Sequence, residues 1–88
     1  MNGCFCVAKL EEEGIVLYRF ATEKKRDEYF VDKMEEIGDL DDIFDYSKCL
    51  YRNGDLTITY CFESSGLCMC QRSEGKGIIK TIFVDSKK

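Results

Sequence analysis

Phe5-Cys6-Val7-Ala8-Lys9-Leu10, Glu11-Glu12-Glu13-Gly14 and Ile15-Val16-Leu17-Tyr18-Arg19-Phe20 follow one another without a break near the start of the chain. Two β-rich runs joined by a short polar loop that ends in glycine form the pattern of a hairpin. If Leu10 faces Ile15, then Val7 faces Tyr18 and Phe5 faces Phe20, which builds one apolar face. The other face carries Cys4, Cys6, Ala8, Leu10, Ile15 and Leu17 and is apolar as well. A hairpin of this kind is buried on both sides, or covered by a partner on one of them.

Working outward, Thr22 is a candidate N-cap, with Glu23 placed at the positive end of a helix dipole. The pattern predicts a helix from Glu23 to Ile37, stopped by Gly38 in the position after the last helical residue. Phe30, Met34 and Ile37 recur at helical spacing and share one face, while Glu28, Asp32 and Glu35 share the opposite one. Further on, Ile43 to Tyr51 and Asp55 to Glu63 flank Arg52-Asn53-Gly54, a second hairpin signal.

Two registers compete there. A two-residue Asn53-Gly54 turn sets Tyr51 against Leu56, Cys49 against Ile58 and Ser47 against Tyr60, mixing polar with apolar. A three-residue loop shifts the pairing by one, so that Phe44, Tyr46 and Leu50 join Phe62, Tyr60 and Leu56 on one face. Asp45, Ser47 and Cys49 then join Cys61, Thr59 and Thr57 on the other. Because a one-residue slip turns over a whole set of side chains, the apolar match favours the three-residue loop.

Ser64-Ser65-Gly66 turns into a run from Leu67 to Arg72, and Ser73 to Gly77 turns into Ile78 to Val84. That last strand is apolar on both faces, which suggests a central place in the sheet. The expected class is α+β: a single domain over residues 1–88, with an antiparallel sheet of five to six strands. The order is ββα followed by three or four strands, and one amphipathic helix packs on one sheet face.

Composition narrows the function. The 88 residues leave no room for a second core, and 44% hydrophobic against 34% charged is the balance of a folded soluble chain. No basic, apolar leader opens the sequence and no apolar run is long enough to span a bilayer, so a reducing cytoplasm is expected. There is no histidine, which removes Ser-His and Cys-His pairs and the commonest proton shuttle. Gly75-Lys76-Gly77 is a tight turn and no phosphate-cradling loop. With little material to wall off a cleft, an enzyme is not expected.

The six cysteines default to free thiols that behave as small, soft hydrophobes. Their alternative use is a zinc or thiol site. Cys61 would pair opposite Cys68 or Cys70 across the Ser64–Gly66 turn, and Cys4 or Cys6 would complete the set from a neighbouring strand. The Asp39, Asp41 and Asp42 group lacks the spacing of a calcium loop.

Charge is the strongest unusual signal. Nine acids (Asp27, Glu28, Asp32, Glu35, Glu36, Asp39, Asp41, Asp42 and Asp45) stand against Lys33 alone, giving −8 within a chain of net −4. The rest is therefore +4, with Lys24-Lys25-Arg26 at the helix start. Charge runs commonly serve solubility. Here the acids continue past the helix and alternate with Leu40, Ile43 and Phe44, apolar anchors amid the charge.

The expectation is a binding module that meets a basic protein surface through Glu28, Asp32, Glu35, Glu36, Asp39, Asp41 and Asp42. By analogy of size, charge and missing catalytic groups, one version is an inhibitor that occludes the nucleic-acid groove of an enzyme, as small phage-encoded anti-defence proteins do. Direct binding to nucleic acid or membrane is not expected. A structural homodimer built on the N-terminal hairpin is a third expectation.

Overall fold

The computed structural model describes residues 4–62, 72–73 and 75–84, with residues 40 and 41 described in backbone only. Strand β1 (Cys4–Leu10) pairs with β2 (Ile15–Phe20) in the expected register, Phe5 opposite Phe20, Val7 opposite Tyr18 and Leu10 opposite Ile15. Helix α1 covers Glu23–Ile37, as predicted. The Thr22 side chain accepts from the Lys25 amide at 3.2 Å, and Gly38 ends the helix with φ +69°, a left-handed conformation that glycine adopts without strain.

The segment after α1 departs from expectation. Residues 43–45 form no strand; instead α2 (Leu40–Ile43) makes one helical turn, with the amides of Asp42 and Ile43 both donating to the Asp39 carbonyl at 3.1 Å. A run rich in Asp favours such a helix start over a ladder. Strand β3 (Tyr46–Arg52) then pairs with β4 (Asp55–Cys61) through Asn53 and Gly54, at φ +53° and +86°.

Those two positive φ values are the signature of a two-residue hairpin turn, so the expected three-residue loop is corrected. Near the turn, Tyr51 lies opposite Leu56 and Cys49 opposite Ile58. Beyond a bulge the partners become Lys48 with Tyr60 and Ser47 with Cys61, a slip of one residue in the direction opposite to the expected shift, which set Tyr46 against Tyr60 and Ser47 against Thr59. Thr59 is the extra residue, and its hydroxyl donates to the Lys48 carbonyl at 3.1 Å. The bulge sends Leu56 and Ile58 to one sheet face and Tyr60 and Phe62 to the other.

The sheet order is β4-β3-β1-β2-β5, with β5 at Ile78–Phe83. The expected antiparallel sheet is mixed, because β5 runs parallel to β2. Contacts just before β5 explain this. Arg72 bonds to the Phe44 carbonyl and pairs with the Asp45 carboxylate, and the Lys76 ammonium donates to the Glu12 carbonyl. The chain is thus delivered to the end where β2 begins, and the Ile15 amide bonds to the Gly77 carbonyl at 2.9 Å. Gly14 makes the approach possible: a Cβ there would stand 2.6 Å from both the Gly77 oxygen and Ile79 Cγ2. The expected central place for the last strand is corrected as well. Among the described residues β5 pairs with β2 alone and forms an edge.

Two apolar clusters lie on opposite sides of the sheet. Under α1, Val7, Phe20, Phe30 and Tyr46 are buried, with Tyr18, Tyr29, Met34, Ile37 and Phe62 against them. On the far side Cys6, Ala8, Leu10, Ile15, Leu17 and Cys49 are buried. Both faces of the β1–β2 hairpin are consumed inside the chain, and β1 is flanked by β3 and β2. Of the hairpin's apolar side chains, Cys4, Phe5 and Tyr18 are half-buried and the rest are buried.

Candidate interaction surface

Helix α1 carries the acidic candidates, and its inner face explains why they point outward. Arg26 and Phe30 are its two buried residues, 4% and 3% exposed. The Arg26 Nη1 donates to the carbonyls of Cys6 (3.3 Å) and Cys49 (3.0 Å), bonding α1 to both β1 and β3. Its Nε bonds to Asp27 at 2.7 Å, and its guanidinium stands over the Phe5 ring at 5.5 Å. Phe30 stacks on Phe62 at 5.9 Å and meets the edge of Tyr60 at 6.0 Å. With one cation and one ring committed to the sheet, the helix cannot roll. Glu28, Asp32 and Glu35 face solvent.

The carboxylates divide into engaged and unengaged. Asp27 accepts from Arg26 and from Lys48 (3.4 Å), and Glu36 bridges to Lys33 at 3.1 Å. Burial pushes the Asp27 carboxyl up. The Arg26 hydrogen bond and charge, with Lys48 behind them, outweigh that and hold it below its ordinary range. Among the described residues Glu28, Asp32, Glu35 and Asp42 have no ion pair. Asp39 and Asp42 are exposed beyond the helix, whereas the Asp41 side chain lies outside what is described. Asp45 is tied to Arg72.

Of the three expected apolar anchors, the Leu40 side chain lies outside what is described and the other two are only partly exposed. Phe44 turns inward and packs edge-on against Phe62 at 6.4 Å, and Ile43 is half-buried. Among the described residues the exposed large apolar side chain amid the acids is Val31, 51% exposed, which lines a shallow depression with Asp27, Glu28 and Asp32. Its signal was present in the sequence, as an apolar residue three after Glu28 and four before Glu35, outside the Phe30–Met34–Ile37 stripe. Arg26 was legible in the same way: it stands four residues before Phe30, on the apolar stripe, and is not part of a surface basic run.

The cysteines part ways. Cys61 is disulfide-bonded, whereas Cys4, Cys6 and Cys49 are free. The expectation of free thiols is corrected at Cys61, and a sulfur held in a disulfide is no thiolate ligand for zinc. Strand β3 also separates Cys61 from Cys4 and Cys6, two strands away. Cys68 and Cys70 lie outside the described residues. Cys6 and Cys49 are fully buried, and burial first, with neighbouring thiols adding to it at Cys6, pushes them up to about 12 and about 11. Cys4, half-buried, accepts a 2.9 Å bond from Arg19. Among the described residues no group of three metal-ligating side chains comes together, and no helix is long and apolar enough to cross a membrane.

In comparison with known proteins, no family model, curated protein or solved structure matches the chain.

Proposed function

We propose that the chain is a small protein-binding module whose α1 outer face docks on a basic surface of another protein. One observation supports this reading above the others. Glu28, Asp32 and Glu35 stand exposed around Val31 and have no ion pair among the described residues. A solvated face has no need of an apolar centre. A docking face does, because its desolvated centre holds the partner while charge around it steers approach. Asp39 and Asp42 extend the negative surface beyond the helix end.

Residues one helical turn apart have Cβ atoms about 5–6 Å from one another, so Glu28, Asp32 and Glu35 form a row of negative charges along one face. A groove lined with Lys and Arg for phosphates accepts such a row. The finer form of the proposal is thus an inhibitor that occupies the nucleic-acid groove of an enzyme, a role that needs no catalytic group of its own.

The test immobilises the full chain and exposes it to a lysate of its native host, with and without added nucleic acid. A basic protein is retained by the native chain, displaced by the nucleic acid and lost from the E28K/D32K/E35K variant. Retention of the same proteins by native chain and variant would refute the reading.

A further inference from the structure

We infer that Cys6 and Cys49 are a latent cross-strand disulfide, a dithiol that a small-molecule disulfide oxidises without unfolding the chain. The two stand directly opposite one another on β1 and β3, in a ladder that runs without a shift from Cys4–Tyr51 to Lys9–Tyr46. Both are free, both are fully buried, and both belong to the cluster on the side of the sheet away from α1. The same register continues to Leu10, whose amide bonds to the Asp45 carbonyl at 2.8 Å. Counting back by twos from there, Cys6 and Cys49 form a hydrogen-bonded pair, with Cα atoms about 5.5 Å apart. That separation suits a disulfide, and both side chains leave the sheet on one face. Cys4, two residues earlier, faces Tyr51 instead.

Each sulfur has another contact along its own strand. Cys6 Sγ donates to the Cys4 carbonyl at 3.7 Å, and Cys49 Sγ stands 3.4 Å from the Ser47 hydroxyl. Rotation about χ1 between staggered wells exchanges those contacts for the bond. Burial raises both thiols and keeps them protonated at neutral pH, so the pair stays reduced until an oxidant is supplied. In a local opening one cysteine attacks the small disulfide as its thiolate and expels one thiolate from it. The second cysteine then attacks the mixed disulfide and expels the other thiolate. Two protons and two electrons leave the cysteines, and the reagent ends as two thiols. The bond forms where the helix is anchored, since Arg26 Nη1 donates to the carbonyls of these same two residues.

The test incubates the full chain with hydroxyethyl disulfide, caps the remaining thiols and digests the product with trypsin. Cleavage after Lys9, Lys48 and Arg52 leaves Cys6 in the N-terminal peptide and Cys49 in Cys49-Leu50-Tyr51-Arg52. The two peptides are recovered joined, and fragmentation places the bond at Cys6. Cys4→Ser, folded by circular dichroism, joins them as the native chain does. Oxidation in urea that unfolds the chain gives far less of this linkage, because the ladder no longer holds the two sulfurs together. Cys6 and Cys49 left unlinked in the folded chain overturn the inference, as does a bond that falls at Cys4 or is lost in Cys4→Ser. An equal yield from folded and unfolded chain overturns it as well.

Discussion

The two faces of α1 are built from one fifteen-residue helix yet obey opposite rules. On the inner face a cation and a ring are each almost fully buried, and each has specific partners in the sheet: two carbonyls for Arg26, Phe62 and Tyr60 for Phe30. On the outer face Glu28, Asp32 and Glu35 have no ion pair among the described residues, and Val31 is half exposed. The difference teaches that the contacts holding α1 to the sheet and the acids proposed to dock belong to separate residues of one helix, so each set can be removed without the other.

The largest way to break that separation is at Phe30. Truncation to alanine empties the contact with Phe62 and Tyr60 and costs about 3–5 kcal/mol, read as a lower urea midpoint. That is a large share of a small domain's stability.

Arg26 comes second. Arg26→Met keeps the stem and removes the charged donors, costing about 1.5–3 kcal/mol in the same titration. Arg26→Lys does not restore the loss, because a point charge cannot reproduce the planar fork that serves Cys6, Cys49 and Asp27 together.

Asp27 sits on the border between the faces and gives the smallest effect. Its folded carboxyl is held below its ordinary range, so it contributes stability that is present above the unfolded value, near pH 4. That contribution is lost as pH falls through the folded value. Acid titration of stability should therefore show a shallow loss below about pH 4 that Asp27→Asn abolishes. The side chain is 42% exposed, so solvent keeps the effect small.

Much of this was legible in the chain because its signals were local and agreed. In β1–β2 the loop and the alternation ask for the same register, and in α1 Thr22, the apolar stripe and Gly38 mark the same helix. The β3–β4 hairpin was legible only in halves. Asn53-Gly54 demands a two-residue turn, while the match of Tyr60 and Phe62 to the ring cluster demands that the strand change face after Ile58. Thr59 satisfies both by standing outside the ladder, a solution that neither signal announces alone.

The place of β5 was not legible, because an apolar run on both faces reads as a central strand. Its position follows from tertiary anchors, Arg72 at residues 44 and 45 and Lys76 at Glu12, which delivered it to the far side of β2. At the candidate surface the acids were legible as a count. Which apolar residue stands among them was not, since Phe44 finds a ring to pack against and Val31 does not.

The most direct test of the outer face is the association rate of the captured basic partner, measured against the native chain and against E28K/D32K/E35K at low and high salt. Charge that steers approach is screened within about 10 Å at 0.1 M salt. The native rate therefore falls steeply as salt is added, while the variant is slow and nearly independent of salt, with both proteins unfolding at the same urea concentration. Equal rates for the two proteins at low salt would contradict the account.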